Sequence, residues 1–187
     1  MPAGRRIHRR RLLWNNPGAH PRRRRADSQA GVILTQGVIT DRMNHHLAIL
    51  KRPYLDAVLE GRKQIESRFS RTKHPAFGQV RPGDRLFLKL SSGPVCATAT
   101  VAAVENFNDL TPQKMLRLKL QHNRYILGTD EYWQSKFDSK FGFLVWLKDV
   151  RPIEPVRIQK KDWRAWVVLT PTNNFGLLKP DTVKQPP

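Results

Sequence analysis

A lysine, a glutamate and an arginine fall within six residues of one another in Gly61-Arg62-Lys63-Gln64-Ile65-Glu66-Ser67-Arg68. A lysine is a point-charge donor to phosphate, an arginine a planar fork for phosphate or a base edge, and a glutamate an acceptor for a base amino group or a sugar hydroxyl. On a regular strand from Lys63 to Phe69, Glu66 and Arg68 share one face while Lys63, Ile65, Ser67 and Phe69 take the other. The same spacing fits a solvent-exposed ladder of ion pairs, which would contribute little energy.

Further candidates flank this trio. Lys51-Arg52-Pro53-Tyr54 sets two cations and an aromatic ring at the start of a short helix, so Arg52 could meet phosphate and Tyr54 could stack on a base. In Tyr132-Trp133-Gln134-Ser135-Lys136-Phe137-Asp138-Ser139-Lys140, aromatic and basic residues interleave as on a single-strand binding edge, with Trp133 and Lys136 as ligand candidates. Core packing competes for Trp133, and Trp146, Trp163 and Trp166 sit in apolar runs that assign them to the core. His45-His46 and His74 do not make a metal site, because adjacent strand residues face opposite ways and no carboxylate or second pair completes a ligand set. No metal or other cofactor is expected. Cys96, the only cysteine, lies in the strand-like run Val95 to Val101 and reads as a small hydrophobe rather than a nucleophile.

The 34 Lys and Arg against 15 Asp and Glu give a formal charge of +19, a field that draws polyanions. The first 42 residues hold ten Arg, no Lys and two Asp, with runs at Arg9-Arg10-Arg11 and Arg22-Arg23-Arg24-Arg25. Residues 1–43 therefore read as a basic, disordered arm that could bind RNA or serve targeting. A start assigned upstream of Met43 would leave the same bias, so no function rests on the arm. Residues 43–187 keep 24 Lys and Arg against 13 Asp and Glu, a net +11. One cysteine excludes a disulfide scaffold and implies a reducing, cytoplasmic setting. The longest apolar run, Phe141 to Leu147, is strand-sized, which argues against a membrane span.

The elements that must position these residues can be read from 44–170, with 171–187 as a C-terminal tail. A strand over His46–Leu50 leads to a helix over Tyr54–Glu60, closed by Gly61. Arg81-Pro82-Gly83-Asp84 is a turn into Leu86–Leu90, and Gly93-Pro94 joins that strand to Val95–Val104 as a hairpin. Thr111-Pro112 caps a helix to about His122 with Met115, Leu116 and Leu120 toward the core, and a second helix spans Asp130–Lys136. Strands follow over Phe141–Leu147, Val150–Ile158 and Trp163–Leu169. Five to seven strands with two or three short helices favour an α+β fold with a small, closed or nearly closed β-barrel.

The pattern G-x-K-x-x-E-x-R after a short helix, Pro82-Gly83-Asp84 some fifteen residues on, and the late apolar strand together resemble the ASCH family, a branch of the PUA-like barrels. The resemblance covers roughly residues 46 to 169. It implies a barrel with a cleft lined by Lys63, Glu66 and Arg68 that faces RNA or a nucleoside or nucleotide. Some ASCH proteins resembling this one in the motif are amidohydrolases on acetylated cytidine that use the motif lysine and a threonine three residues on. Here that position is Glu66, and Ser67 beside it is expected on the opposite face, which puts that mechanism in doubt. Another branch is reported as ribonucleases, and Glu66 as general base with Lys63 or Arg68 stabilising charge would suit metal-free cleavage. The residues alone leave binding module and hydrolase both open, and oligomeric state as well.

Overall fold

The computed structural model describes residues 43–161 and 163–178. The expected arm, apart from Met43, and residues 179–187 of the expected tail lie outside the described residues.

Two hydrophobic faces organise the chain. In strand β5 (Phe141–Val156), Phe143 and Val145 are buried in one cluster and Leu144 in another, as alternation along a strand requires. The first cluster fills the curl of a sheet built from β1 (His45–Leu50), β2 (Ile65–Ser70), β3 (Arg85–Leu90), β4 (Val95–Phe107), β5 and β6 (Trp166–Leu169). It joins Ala48, Leu86, Leu88, Ala97, Val101 and Trp166 to Leu55 and Val58 of helix α1 (Arg52–Leu59). The second cluster packs Ile65 and Phe69 of β2 and Leu144 of β5 against helices α2 (Pro112–Ile126) and α3 (Asp130–Lys136), through Met115, Leu118, Ile126 and Trp133. Full burial of one such side chain contributes roughly 1.5–3 kcal/mol.

The strand order is β2-β5-β4-β3-β1-β6, antiparallel throughout except for the parallel β1–β3 pair. β1 thus lies between β3 and β6, with His45 opposite both Arg85 and Leu169. β2 and β6 are edges, so the sheet is a curled half-barrel with a seam between them rather than a hydrogen-bonded ring. Register shifts along β4 and β5 supply the bulges that bend a sheet into such a curl. The α+β architecture expected from the sequence, a small curled β-barrel sheet with short helices, is the one observed, with six strands and three helices among the described residues.

Three details differ from expectation. The strands expected over Phe141–Leu147 and Val150–Ile158 are one element, β5, because Asp149 takes a positive φ of 52° and Pro152 falls among the register shifts, where a missing N–H is tolerated. On α2 the buried stripe runs through Met115, Leu118 and Ile126, leaving Leu116 and Leu120 exposed. Trp163 is not in the core; β6 begins only at Trp166, and the Trp163 side chain is 100% exposed. Beyond β6, Phe175, Leu177 and Leu178 pack against the cluster of Leu47, Val95, Val167 and Leu169.

The Pro82-Gly83-Asp84 turn is a structural clamp. The buried Asp84 carboxylate accepts from Asn44 N at 2.8 Å and Arg81 N at 2.7 Å, and pairs with His46 Nε2 at 2.9 Å. Trp166 Nε1, a donor only, points at His46 Nδ1 at 3.4 Å, so the ring proton belongs on Nε2 and is donated to Asp84. Burial holds the His46 pKa below its ordinary value against the opposing pull of Asp84.

Candidate functional site

On β2, Ile65 and Phe69 face the helices, so Glu66 and Arg68 turn into the curl, where other strands present apolar side chains. Charges in such a place must be paired. Glu66, 7% exposed, pairs through Oε1 with Arg68 Nη2 at 2.8 Å and through Oε2 with Lys63 Nζ at 3.4 Å. Arg68 Nη2 also donates to Ile49 O at 3.1 Å, and its guanidinium lies 5.7 Å from the centre of the Trp166 ring. This one side chain therefore bridges the seam from β2 to β1 and β6.

Lys63 does not follow the alternation expected of it, because β2 begins only at Ile65 and Lys63 belongs to the turn after α1. Its backbone N–H donates to Ala57 O at 2.9 Å, and its ammonium to Ile65 O at 2.8 Å and Ile126 O at 2.7 Å. Burial lowers the Lys63 pKa, opposed by Glu66.

These residues floor a cavity of about 570 Å³. Its walls come from the β1–α1 junction at Lys51 and Tyr54, from Ser91, from Gly128 and Thr129, and from the α3 face of Glu131, Tyr132, Ser135 and Lys136. Thr129 caps α3 by accepting from Tyr132 N at 3.2 Å, which aims that face at β2. Ser67 Oγ and Tyr132 Oη are 2.6 Å apart. Burial pushes the Tyr132 pKa far above its ordinary value, so the phenol keeps its proton at neutral pH. Gly128 is required for space: a Cβ there would meet Tyr132 Cδ1 at 2.6 Å and Trp133 Nε1 at 2.8 Å.

Five of the seven candidates, Tyr54, Lys63, Glu66, Arg68 and Lys136, line this cavity. Arg52 is exposed on α1 outside the lining, and its neighbour Lys51 takes the place expected for it. Trp133 lies behind the wall, 1% exposed, beside Phe69 and donating through Nε1 to Asn123 Oδ1 at 2.8 Å. Ser67 and Tyr132 are the additions that sequence reasoning missed. Ser67 does face away from Glu66, yet β2 is an edge strand and the cavity wraps its free side, so residues 66, 67 and 68 all reach it. Tyr132, Ser135 and Lys136 stand at i, i+3 and i+4 on α3, a helical periodicity that could have identified the face.

Among the described residues, no three His, Cys, Asp or Glu side chains gather closely enough to hold a metal ion. His45 stacks on Phe87 while His46 is buried with Asp84. Cys96 is half-buried, and burial raises its thiol pKa. No helix among the described residues is long and apolar enough to cross a membrane.

Solved structures share this architecture. An ASCH protein from Zymomonas mobilis aligns with a TM-score of 0.54 and 16% identity over 71% of this chain and 92% of its own. A tyrosine-to-phenylalanine variant of that protein gives 0.54 and 16% over 71% and 95%. A serine-to-alanine variant gives 0.54 and 17% over 71% and 93%. No family model matches the sequence, and no curated protein does. The chain has an ASCH-like fold.

Proposed function

We propose that this chain, folded as an ASCH-like half-barrel, is an RNA- or nucleotide-binding domain whose ligand occupies the cavity at the free edge of β2. The observation that carries the reading is the pre-assembled Lys63–Glu66–Arg68 chain on the cavity floor, set among the Ser67 and Tyr132 hydroxyls, the Tyr54 ring and Lys136. Fixed donors and acceptors inside a concave, partly apolar wall suit a base and sugar, and cations at the rim suit phosphate. The net +11 of residues 43–187 would speed encounter with such a ligand. The lone, half-buried Cys96 fits a reducing, cytoplasmic setting.

A second reading, a metal-independent hydrolase of RNA or of a modified nucleoside, draws on the lowered pKa of Lys63, which brings its amine nearer the range of a general base. Binding ranks first because the Lys63 ammonium already donates to two carbonyls and faces Glu66, and Glu66 has a cation against each oxygen. The protonated Lys63 amine has no lone pair for a substrate proton, and the two Glu66 oxygens are each already held by a cation while keeping acceptor capacity for a ligand donor.

The test is calorimetric binding of nucleosides and nucleoside monophosphates, plain and acetylated, to the full chain and to Arg68→Lys and Lys136→Ala, with product followed by mass spectrometry. Arg68→Lys, which keeps the charge but loses the fork, is expected to weaken binding at least tenfold with its melting cooperative. Lys136→Ala should reduce the salt dependence of monophosphate binding. Product that disappears in Glu66→Gln would establish the hydrolase instead, and absence of both binding and product would refute both.

A further inference from the structure

The seam continues past Arg68 into a second cavity of about 490 Å³. It runs between β2 and the segment leading into β6, and shares Ser67, Arg68, Tyr132, Lys136 and Ala165 with the first, so the two form one continuous groove. The linings differ in charge. Glu66 and Glu131 line the first cavity, whereas among the described residues no carboxylate lines the second, which holds Arg68, Lys136 and Arg164. Arg68 and Arg164 both come close enough to His74 to depress its pKa, after the larger effect of burial.

At the rim stands Trp163. The other described tryptophans, Trp133, Trp146 and Trp166, all pack against the two main clusters, and Trp163 alone leaves its whole indole in water. Single exposed apolar residues are ordinary. This one borders a groove where the cations Arg68, Lys136 and Arg164 and the rings of Phe69, Tyr132 and Trp166 stand among Ser67, Ser70 and Ala165, a combination that matches a ligand with flat rings on an anionic chain. An acidic peptide would satisfy the cations but leave the indole without a partner of its own shape.

We propose that this stretch of the seam is a second base subsite, in which Trp163 stacks on the nucleotide next to the one held over Glu66 and Arg68, while Lys136 and Arg164 contact the intervening phosphate of single-stranded RNA. The ligand class thereby narrows from a mononucleotide to a strand of at least two nucleotides. This inference rests on the nucleotide-binding reading of the first cavity.

The test compares a 5′-fluorescein-labelled single-stranded RNA hexamer with nucleoside monophosphates, using the full chain and Trp163→Ala, Trp163→Phe and Lys136→Ala. Trp163→Ala should lose about tenfold in hexamer affinity, the order of one base–aromatic stack, with monophosphate affinity unchanged. Trp163→Phe should retain most of it. The loss should be the same at low and high salt, whereas Lys136→Ala should flatten the salt dependence. Unlabelled hexamer should quench indole emission in the full chain, less so in Trp163→Phe.

Unchanged hexamer affinity and unchanged quenching in the Trp163 variants, with monophosphate still bound, would overturn the subsite and leave the first reading standing. Equal loss for both ligands would overturn it too, by making Trp163 a support of the first cavity. Polyglutamate competing with the hexamer in a Trp163-dependent way would assign the groove to acidic protein. If the full chain binds neither ligand, the first reading fails and the subsite with it.

Discussion

Replacing Lys63 by methionine should damage the fold before it damages any binding. Methionine keeps most of the side-chain volume and removes only the ammonium. Two buried carbonyls, Ile65 O and Ile126 O, then lose donors at 2.8 and 2.7 Å, and Glu66 loses one of its two cations. An unsatisfied buried acceptor costs about 1–3 kcal/mol, and breaking a buried ion pair about 3–5 kcal/mol. These effects overlap at one nitrogen and do not add, so the expected loss is about 3–5 kcal/mol, a large share of the roughly 5–15 kcal/mol that stabilises an ordinary domain. Urea denaturation followed by far-ultraviolet circular dichroism would read it as a lower midpoint at unchanged slope. Glu66→Gln should cost less, and the double variant should fall short of the sum by about 1–3 kcal/mol, since both changes break the same pair. A loss below about 1 kcal/mol for Lys63→Met, or strict additivity, would refute the account of Lys63 as the pin between β2 and the end of α2. Lys136 on the cavity wall, and the charge-keeping Arg68→Lys, are the better probes of ligand contact for the same reason.

Other outcomes follow from the two cores. His46 is held below the value of about 6.5 that it has when unfolded, so below pH 6.5 the unfolded chain binds a proton that the fold resists. Stability should therefore fall as pH drops from about 6.5 and level off once pH passes the folded value, with His45 and His74, lowered chiefly by burial, acting in the same direction. Melting temperatures at pH 7.5 and 5.5 would show the drop, and His46→Gln should shrink it from a lower starting point; an unchanged drop would remove His46 from the explanation. Trp133→Ala should cost about 3–5 kcal/mol and Trp163→Ala less than about 0.5 kcal/mol, and chemical denaturation giving them similar costs would contradict the burial assigned to each.

Much of the fold was legible because periodicity and caps report local structure. Pro53 and Gly61 bounded α1, Thr111-Pro112 opened α2, and α3 spans the residues expected of it. What failed depended on partners distant in sequence. The unity of β5 rests on bulges against β4, which a lone strand cannot reveal, and the choice of Leu118 over Leu116 and Leu120 depends on where β2 lies beneath α2. The site divides in the same way. Lys63, Glu66 and Arg68 announced themselves by type and spacing. Ser67 escaped because alternation assumes a strand walled on both sides, and nothing local shows that β2 is an edge. Trp163 was assigned to the core by its apolar neighbours, although the strand that would have buried it starts three residues later.

The position of β1 also bears on how the molecule is made. Its parallel partner β3 ends at Leu90, while its other partner, β6, ends at Leu169. A ribosome adding about 5–20 residues per second needs on the order of 4 to 16 seconds to cover that interval. Throughout it, the nascent chain holds Leu47 and Ile49 along a strand with one unsatisfied side, open to pairing with another chain. Trp166, which packs on His46 and Phe143 and lies under Arg68, arrives among the last residues of the domain. Chains released before β6 emerges would therefore lack both the cover of β1 and the surface on which Arg68 rests, and quality control would meet them as aggregation-prone species rather than as partly active protein.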